Sequence, residues 1–400
     1  MPSLCLSLIL VGLLVGWPAT WLARAIGRRM NAMDAGGVAG QVKAPARRVP
    51  NTGGIGIFLA VALPLLLGLG MVQGMDASAT AQWRTDFSFL PADLHDYVAG
   101  IQQQTPAALA LLGGLLVLHV IGLIDDRTPL GPLVKMVPML VIAAAVVAFT
   151  DTRLLTLLDG HAGGRWASIA VTVVWIVVIT NAFNFLDNMD GLSGGVAAIA
   201  GAFFLITALV AGQWFVAAML ALLVGALLGF LRYNFPWGRA GASVFMGDGG
   251  SLVVGFLLAF LSVRITYLPV MPQAAMMTPG TPIVVAPPPH FHLLLTPLLI
   301  LAIPLYDFCS VCLIRISQGR SPLVGDLQHF SHRLVKHGLS RRSAVLVIYG
   351  CTAVTGIGAI ALPRLEGWQA ALVEVQTLLV LLVIALYEWS RSDAEPTGAA

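Results

Sequence analysis

Residues 181–195 read NAFNFLDNMDGLSGG, and the surroundings of this stretch decide the fold. An unbroken apolar run, Ala167 to Thr180, leads into it, and an uncharged run of more than 20 residues begins at Gly191. Asp187 and Asp190 therefore sit between two hydrophobic segments, three residues apart, as do Asn181 and Asn184 just upstream. In a helical turn that spacing puts both carboxylates on one face. Polar groups beside hydrocarbon are costly unless they meet water, a cation or a ligand. The stretch reads as the lip of a functional site at a membrane surface.

The composition agrees. Of 400 residues, 58% are hydrophobic and 10% charged, against roughly 25% charged in soluble domains. The expectation is one all-α polytopic membrane domain over residues 1–400. A span needs about 20 apolar residues. About eleven segments qualify, near 3–23, 53–72, 106–124, 132–150, 167–185, 191–211, 214–231, 249–267, 292–314, 343–362 and 368–389. The first carries its basic residues (Arg24, Arg28, Arg29) behind it, so it reads as a retained helix rather than a secretory signal.

Placing 24–52 in the cytoplasm puts all the Lys and Arg there except Arg84, Arg153, Arg165, Arg264 and Arg364. That is a positive-inside bias. It predicts a periplasmic N-terminus and a cytoplasmic C-terminus. The segment 73–105 is expected to include a short amphipathic helix, and 268–291 a proline-rich outer loop. Cys309 and Cys312 form a CxxC without a second pair, and read as small packing residues.

Other acid-bearing segments fall on the same side. GLIDDRTPLGP (122–132) ends a span with Asp125 and Asp126, whose side chains point about 100° apart on a helix. We expect Asp125 to face a substrate phosphate and Asp126 to be held by a cation or a basic side chain. FMGDGGS (245–251) sets Asp248 among glycines at a helix start, where backbone can approach a phosphate and a carboxylate can hold Mg²⁺. GRSPLVGDLQHFSHR (319–333) spaces Asp326, His329 and His332 by three. This is a thin ligand set for zinc, or a phosphate-binding turn. QVKAPARRVPNTGG (41–54) offers Lys43, Arg47 and Arg48 to lipid headgroups or substrate phosphate.

Taken in order, VPNTGG, DDR, NAFNFLDNMDGL, FMGDGGS and GRSP…DLQHFSHRL resemble the polyprenyl-phosphate N-acetylhexosamine-1-phosphate transferases, glycosyltransferase family 4, over about residues 40–345. That family includes enzymes that start O-antigen, enterobacterial common antigen and teichoic acid, and the phospho-MurNAc-pentapeptide translocase. The GRSP…DLQH segment resembles the GlcNAc-1-phosphate branch, and the translocase branch's three successive histidines are absent.

The resemblance implies Mg²⁺-dependent transfer (Mn²⁺ as a substitute ion) of a sugar-1-phosphate from a UDP-sugar to undecaprenyl phosphate. UMP is released at the cytoplasmic face of the bacterial inner membrane, starting a cell-envelope polysaccharide. It implies Asp248, with Asp187, as metal ligands, and Asp125 as base supported by Asp126, unless an aspartyl intermediate forms. Asn184, Asp187 and Asp190 would meet nucleotide and sugar, Phe245 would stack on uracil, and Arg320, His329, His332 and Arg333 would bind phosphates. Expected partners are the UDP-sugar, undecaprenyl phosphate, membrane lipid and a second copy as a homodimer, with no nucleic acid. The alternatives are the translocase of peptidoglycan synthesis and, in a different class, a lipid flippase or transporter, whose ionisable residues should lie near the bilayer midplane.

Two positions depart from the family pattern. Asn188 stands where the family usually has Gly, and Ser331 where its HxHH cluster has a histidine. Both bear on the donor sugar.

Overall fold

The structure is a computed structural model that describes residues 2–33, 47–86, 94–160, 163–238, 241–266, 294–322, 325–362 and 365–392. Lys43 and the 268–291 loop lie outside the described residues. Apart from one 3₁₀ turn at Thr156–Gly160, every regular element among the described residues is an α-helix. They are α1 (Pro2–Arg29), α2 (Gly53–Gln73), α3 (Ala77–Asp86), α4 (Leu94–Asp125), α5 (Pro132–Thr150), α6 (Gly164–Leu186) and α7 (Leu192–Val210). There follow α8 (Trp214–Asn234), α9 (Asp248–Thr266), α10 (Thr296–Ile300), α11 (Ala302–Ser317), α12 (Phe330–Lys336), α13 (Arg341–Ala361) and α14 (Gly367–Ser392). The chain is an integral membrane protein. Among the described residues ten helices are long and apolar enough to cross a bilayer.

The expected span at 292–314 is the exception. It arrives as two helices, α10 and α11, with Leu301 between them at φ −98° and ψ 15°. Pro304 supplies the reason: it has no N–H to give the carbonyl of Ile300, and its ring crowds that carbonyl. Among the described residues the unbroken candidate spans therefore number ten, where eleven segments were expected.

The broken pair nevertheless returns the chain through the bundle. Arg264, near the end of α9, donates to Gln104 Oε1 (2.8 Å) and Thr152 Oγ1 (3.4 Å), far from the acids. Arg315, near the end of α11, lies 5.1 Å above the Phe185 ring at the end of α6, beside them. Arg24 of α1 donates to Ser243 (3.2 Å), and Glu388 of α14 meets Arg333 (2.8 Å), so the C-terminal parts of both helices lie toward the acid end.

Helices in lipid gain no hydrophobic drive from touching one another, so close packing and polar contacts hold them. All of α9 after Asp248 is buried except Arg264, and it packs against α2, α4, α6, α7 and α8. It is the post around which the others stand. α1 lies along α8, where Trp17 Nε1 donates to the Tyr233 hydroxyl (2.6 Å) and Arg24 covers the Tyr233 ring at 4.9 Å. α14, by contrast, leaves most of its apolar length exposed. The short helix expected in 73–105 is α3; exposed along nearly its whole length, it is polar rather than amphipathic.

Candidate active site

The acids gather where the C-terminal ends of α4 and α6 meet the N-terminal ends of α5 and α9. Lys135, one turn into α5, reaches Asp125 Oδ2 at 3.0 Å and Asp248 Oδ2 at 2.7 Å. The other oxygen of Asp125 accepts the backbone N–H of Leu130 at 2.7 Å. Asn184, on the last turn of α6, donates to Asp248 Oδ1 and to Ser251 Oγ, both at 2.9 Å. Asp248 is thus gripped on both oxygens, by a cation and by an amide.

Asp126 does different work. Its oxygens accept the backbone N–H groups of Asp248 (3.0 Å) and Gly249 (3.2 Å), capping the open N-terminus of α9. The basic side chain expected on Asp126 is found on Asp125 instead: Lys135 holds Asp125, and backbone amides hold Asp126. Burial, together with the negative charge of Asp248 and Asp187 nearby, pushes the Asp126 carboxyl well above the usual carboxylate range, although the two amides pull it down.

Glycine makes this approach attainable. A Cβ on Gly122 of α4 would sit 2.4 Å from the Gly249 nitrogen. Gly247 has φ +69°, and its Cβ would lie 2.4 Å from Asp126 Oδ2. Beside Asp126 a cavity of about 320 Å³ opens between α2 and α4, lined by Asn51, Ile55, Leu123 and Ile124 among others.

Asp190 belongs to a neighbouring group. Arg47 grips both of its oxygens, one at 2.9 Å, and the backbone N–H of Ala242 donates to it at 2.8 Å. The Arg47 guanidinium also lies 4.7 Å over the Phe245 ring. Phe245 therefore already carries a cation where a uracil was expected to stack. Asp187 caps the C-terminus of α6, close enough to Asp126 for their charges to interact. Asn181 turns back to the Val177 carbonyl at 2.8 Å and leaves the site to Asn184. Arg48 is exposed.

The histidine turn stands across the α6 terminus. Asp307 of α11, wholly buried, meets His329 Nδ1 at 2.9 Å and accepts the Phe330 N–H at 2.6 Å. The His329 ring packs edge-on against Phe185, centroids 5.6 Å apart, and His332 lies 6.4 Å from His329. Burial holds the His332 imidazole down at a pKa of about 4, and the positive charge of His329, Arg341 and Lys336 adds to this. Asp326 is spent on Arg315 (2.9 Å) and Arg320 (3.2 Å).

Arg333, expected on a phosphate, instead ties α12 to the rest of the bundle. It reaches Glu388 of α14 at 2.8 and 3.1 Å, Ser310 of α11 at 2.9 Å, and the Gln328 carbonyl. Among the described residues no three His, Cys, Asp or Glu side chains form a ready metal cage, which removes the zinc expectation for Asp326, His329 and His332.

Sequence reasoning missed Lys135 and Asp307. Both are charges inside otherwise apolar runs, PLVKMVPML and LAIPLYDF, and that isolation was the available signal.

Comparison with known proteins adds an independent finding. Residues 108–266 match the family described as glycosyl transferase family 4. A probable undecaprenyl-phosphate N-acetylglucosaminyl 1-phosphate transferase of Bacillus subtilis is 29% identical over 290 residues, covering 72% of this chain and 74% of that protein. The decaprenyl-phosphate N-acetylglucosaminephosphotransferase of Mycolicibacterium smegmatis is 30% identical over 370 residues, covering 88% and 80%. An undecaprenyl-phosphate alpha-N-acetylglucosaminyl 1-phosphate transferase of Yersinia pestis is 29% identical over 283 residues, covering 68% and 70%. With its acids collected at one end of an all-helical membrane bundle, the chain belongs to glycosyl transferase family 4, on the branch of the polyprenyl-phosphate N-acetylglucosamine-1-phosphate transferases.

Proposed function

We propose that this chain transfers GlcNAc-1-phosphate from UDP-GlcNAc to undecaprenyl phosphate and releases UMP, at the cytoplasmic face of the bacterial inner membrane, as the first step of a cell-envelope polysaccharide. The observation that carries the reading is the cluster itself: Asp125, Asp126, Asp187 and Asp248 at one end of an apolar bundle, with Lys135 shared by two of them. An apolar bundle suits a lipid acceptor, and a polar rim suits a soluble nucleotide. Counted along the sequence, all but five of the Lys and Arg lie in the segments expected on the rim's side, which supports the cytoplasmic assignment.

The donor set fits a divalent ion. Mg²⁺ takes one or two carboxylates and fills its remaining positions with water and substrate phosphate. Burial first, and the negative charge of Asp248 and Asp187 second, raise Asp126, and such an ion would relieve the second of these. Asp248 and Asp187 would hold it, and when bound it neutralises charge on the diphosphate.

The chain's own groups do the rest. Lys135 and Asn184 fix the Asp248 carboxylate, and Asp126 fixes the backbone that carries it. A phosphate oxygen of undecaprenyl phosphate attacks the phosphorus bearing the sugar, and the bond to the UMP phosphate breaks. A phosphate monoester is largely dianionic near pH 7, because its second pKa is about 6. It needs little help from a base. Asp125, already accepting from Lys135 and Leu130, serves by positioning the ammonium.

The test uses purified protein, undecaprenyl phosphate, Mg²⁺ or Mn²⁺, and a panel of UDP-sugars, with UMP release as readout. Turnover of UDP-GlcNAc and none of UDP-MurNAc-pentapeptide is expected. Turnover of the pentapeptide donor would assign the chain to peptidoglycan synthesis, and the absence of UMP with every donor would sink the reading.

A further inference from the structure

Asn188 and Ser331, the two positions that depart from the family pattern, lie 143 residues apart and touch. Ser331 Oγ donates to Asn188 Oδ1 at 2.6 Å, and Asn188 Nδ2 donates to the Phe185 carbonyl at 2.8 Å. One amide thus joins the last turn of α6 to the first turn of α12. Each residue of the pair adjoins a group of the site: Asp187 precedes Asn188, and His332 follows Ser331. Ser331 is buried, so a side chain larger than serine there must find room where Asn188 now stands. Glycine at 188 gives that room; asparagine does not.

We propose that Asn188 and Ser331 are one positioning pair, which sets the Asp187 carboxylate and the His332 imidazole relative to one another around the UDP-sugar, so that neither can be exchanged for its family counterpart alone. The donor part of this inference rests on the function proposed above. The contact between the two residues does not.

The exclusion of separate exchange is physical. His at 331 with Asn188 retained forces an imidazole against an amide in a closed space, an overpacking that shifts backbone. Gly at 188 with Ser331 retained leaves a buried hydroxyl without its acceptor, and frees the loop. The two changes together remove both faults.

The experiment is a pair of double-mutant cycles on the full-length chain. In the first, N188A, S331A and N188A/S331A are compared by thermal unfolding in detergent. Residues that share a hydrogen bond are expected to be non-additive, the second substitution costing little once the first is made. Additive losses overturn the pair, whatever the enzyme's activity. In the second, N188G, S331H and N188G/S331H are compared with S331T by UMP release. S331H is expected to raise KM for UDP-GlcNAc about tenfold with KM for undecaprenyl phosphate unchanged, and N188G/S331H to recover most of that loss. S331T keeps the hydroxyl but adds a methyl to the closed site, and its KM for UDP-GlcNAc should fall between those of wild type and S331H.

A double variant as poor as the product of the singles, or equal losses toward both substrates, refutes the positioning role. Should S331H fail to fold, the alanine variants carry the same KM comparison. Absence of UMP from the wild-type protein would sink the function proposed above, while the unfolding cycle would still decide the pair.

Discussion

The carboxylate cluster at α9 and the histidine turn at α12 stand on either side of the α6 terminus, and they settle their charges in opposite ways. Around Lys135, Asp125 and Asp248 share one ammonium, and Asp126 makes do with backbone amides. At α12 each acid has a partner built for it: Asp307 has His329, Asp326 has Arg315 and Arg320, and Glu388 has Arg333. The exposures differ as well. The Asp248 side chain is 23% exposed, whereas Arg315 and Asp326 are 1% and 4% exposed. Balanced, closed charge holds helices together. Crowded charge that opens to solvent is costly in the resting protein, and is kept where a ligand completes it.

The sharpest way to break this contrast is at Asp248. Asp248→Asn keeps the shape and the Asn184 contact in reach but removes the charge. UMP release should fall by a thousandfold or more, the order expected for several kcal/mol of metal-assisted stabilisation. Unfolding in detergent should be nearly unchanged. Retention of a tenth of the wild-type rate would take Asp248 out of the reaction.

Next in size is a matched pair of cation deletions. Lys135→Met should lower the rate on the order of a hundredfold, as loss of one oriented charge does in other sites, with the unfolding midpoint little moved. Arg333→Met should do the reverse. It takes the cation from Glu388, a part-buried acid that keeps the Tyr306 hydroxyl as a donor. Stability should therefore fall by up to about 3–5 kcal/mol, the usual loss for a broken buried pair, while protein that remains folded turns over with a near-normal KM for the donor. If both variants lose rate and keep stability, the distinction between a working cluster and a structural one fails.

The same contrast explains what could be read in advance. Spans announce themselves because hydrocarbon demands about 20 apolar residues in a row. The acids at their ends stood out against that background, so Asp125, Asp126, Asp187, Asp190 and Asp248 could be named. Partners could not. The 100° between Asp125 and Asp126 says that they differ. Which of them meets Lys135 depends on how α4 lies against α5 and α9, and that is tertiary. Arg333 sits in a basic loop beside two histidines and so resembled a phosphate ligand; Glu388, 55 residues away, claims it. The break at Leu301 was written in Pro304, but apolar length alone hid it.

The smallest effect tests the closed side of the contrast. His332 is held near a pKa of about 4, against an ordinary 6.5, chiefly by burial and secondarily by the cations around it, with Asp307 opposing. Between those two values the unfolded chain binds a proton at this residue and the folded chain does not. Stability must therefore fall as the pH drops from 6.5 toward 4, and the contribution is complete above 6.5. Carboxylates also titrate in the lower part of this range, so the informative quantity is the difference between wild type and His332→Gln, which has nothing to protonate there. The unfolding midpoint of wild type should decline more steeply than that of the variant from pH 6.5 downward, with the two curves running parallel above pH 7. Equal slopes throughout would mean that His332 takes up its proton in the folded protein as readily as in the unfolded one, and that the turn around it is open to water like the carboxylate cluster it faces.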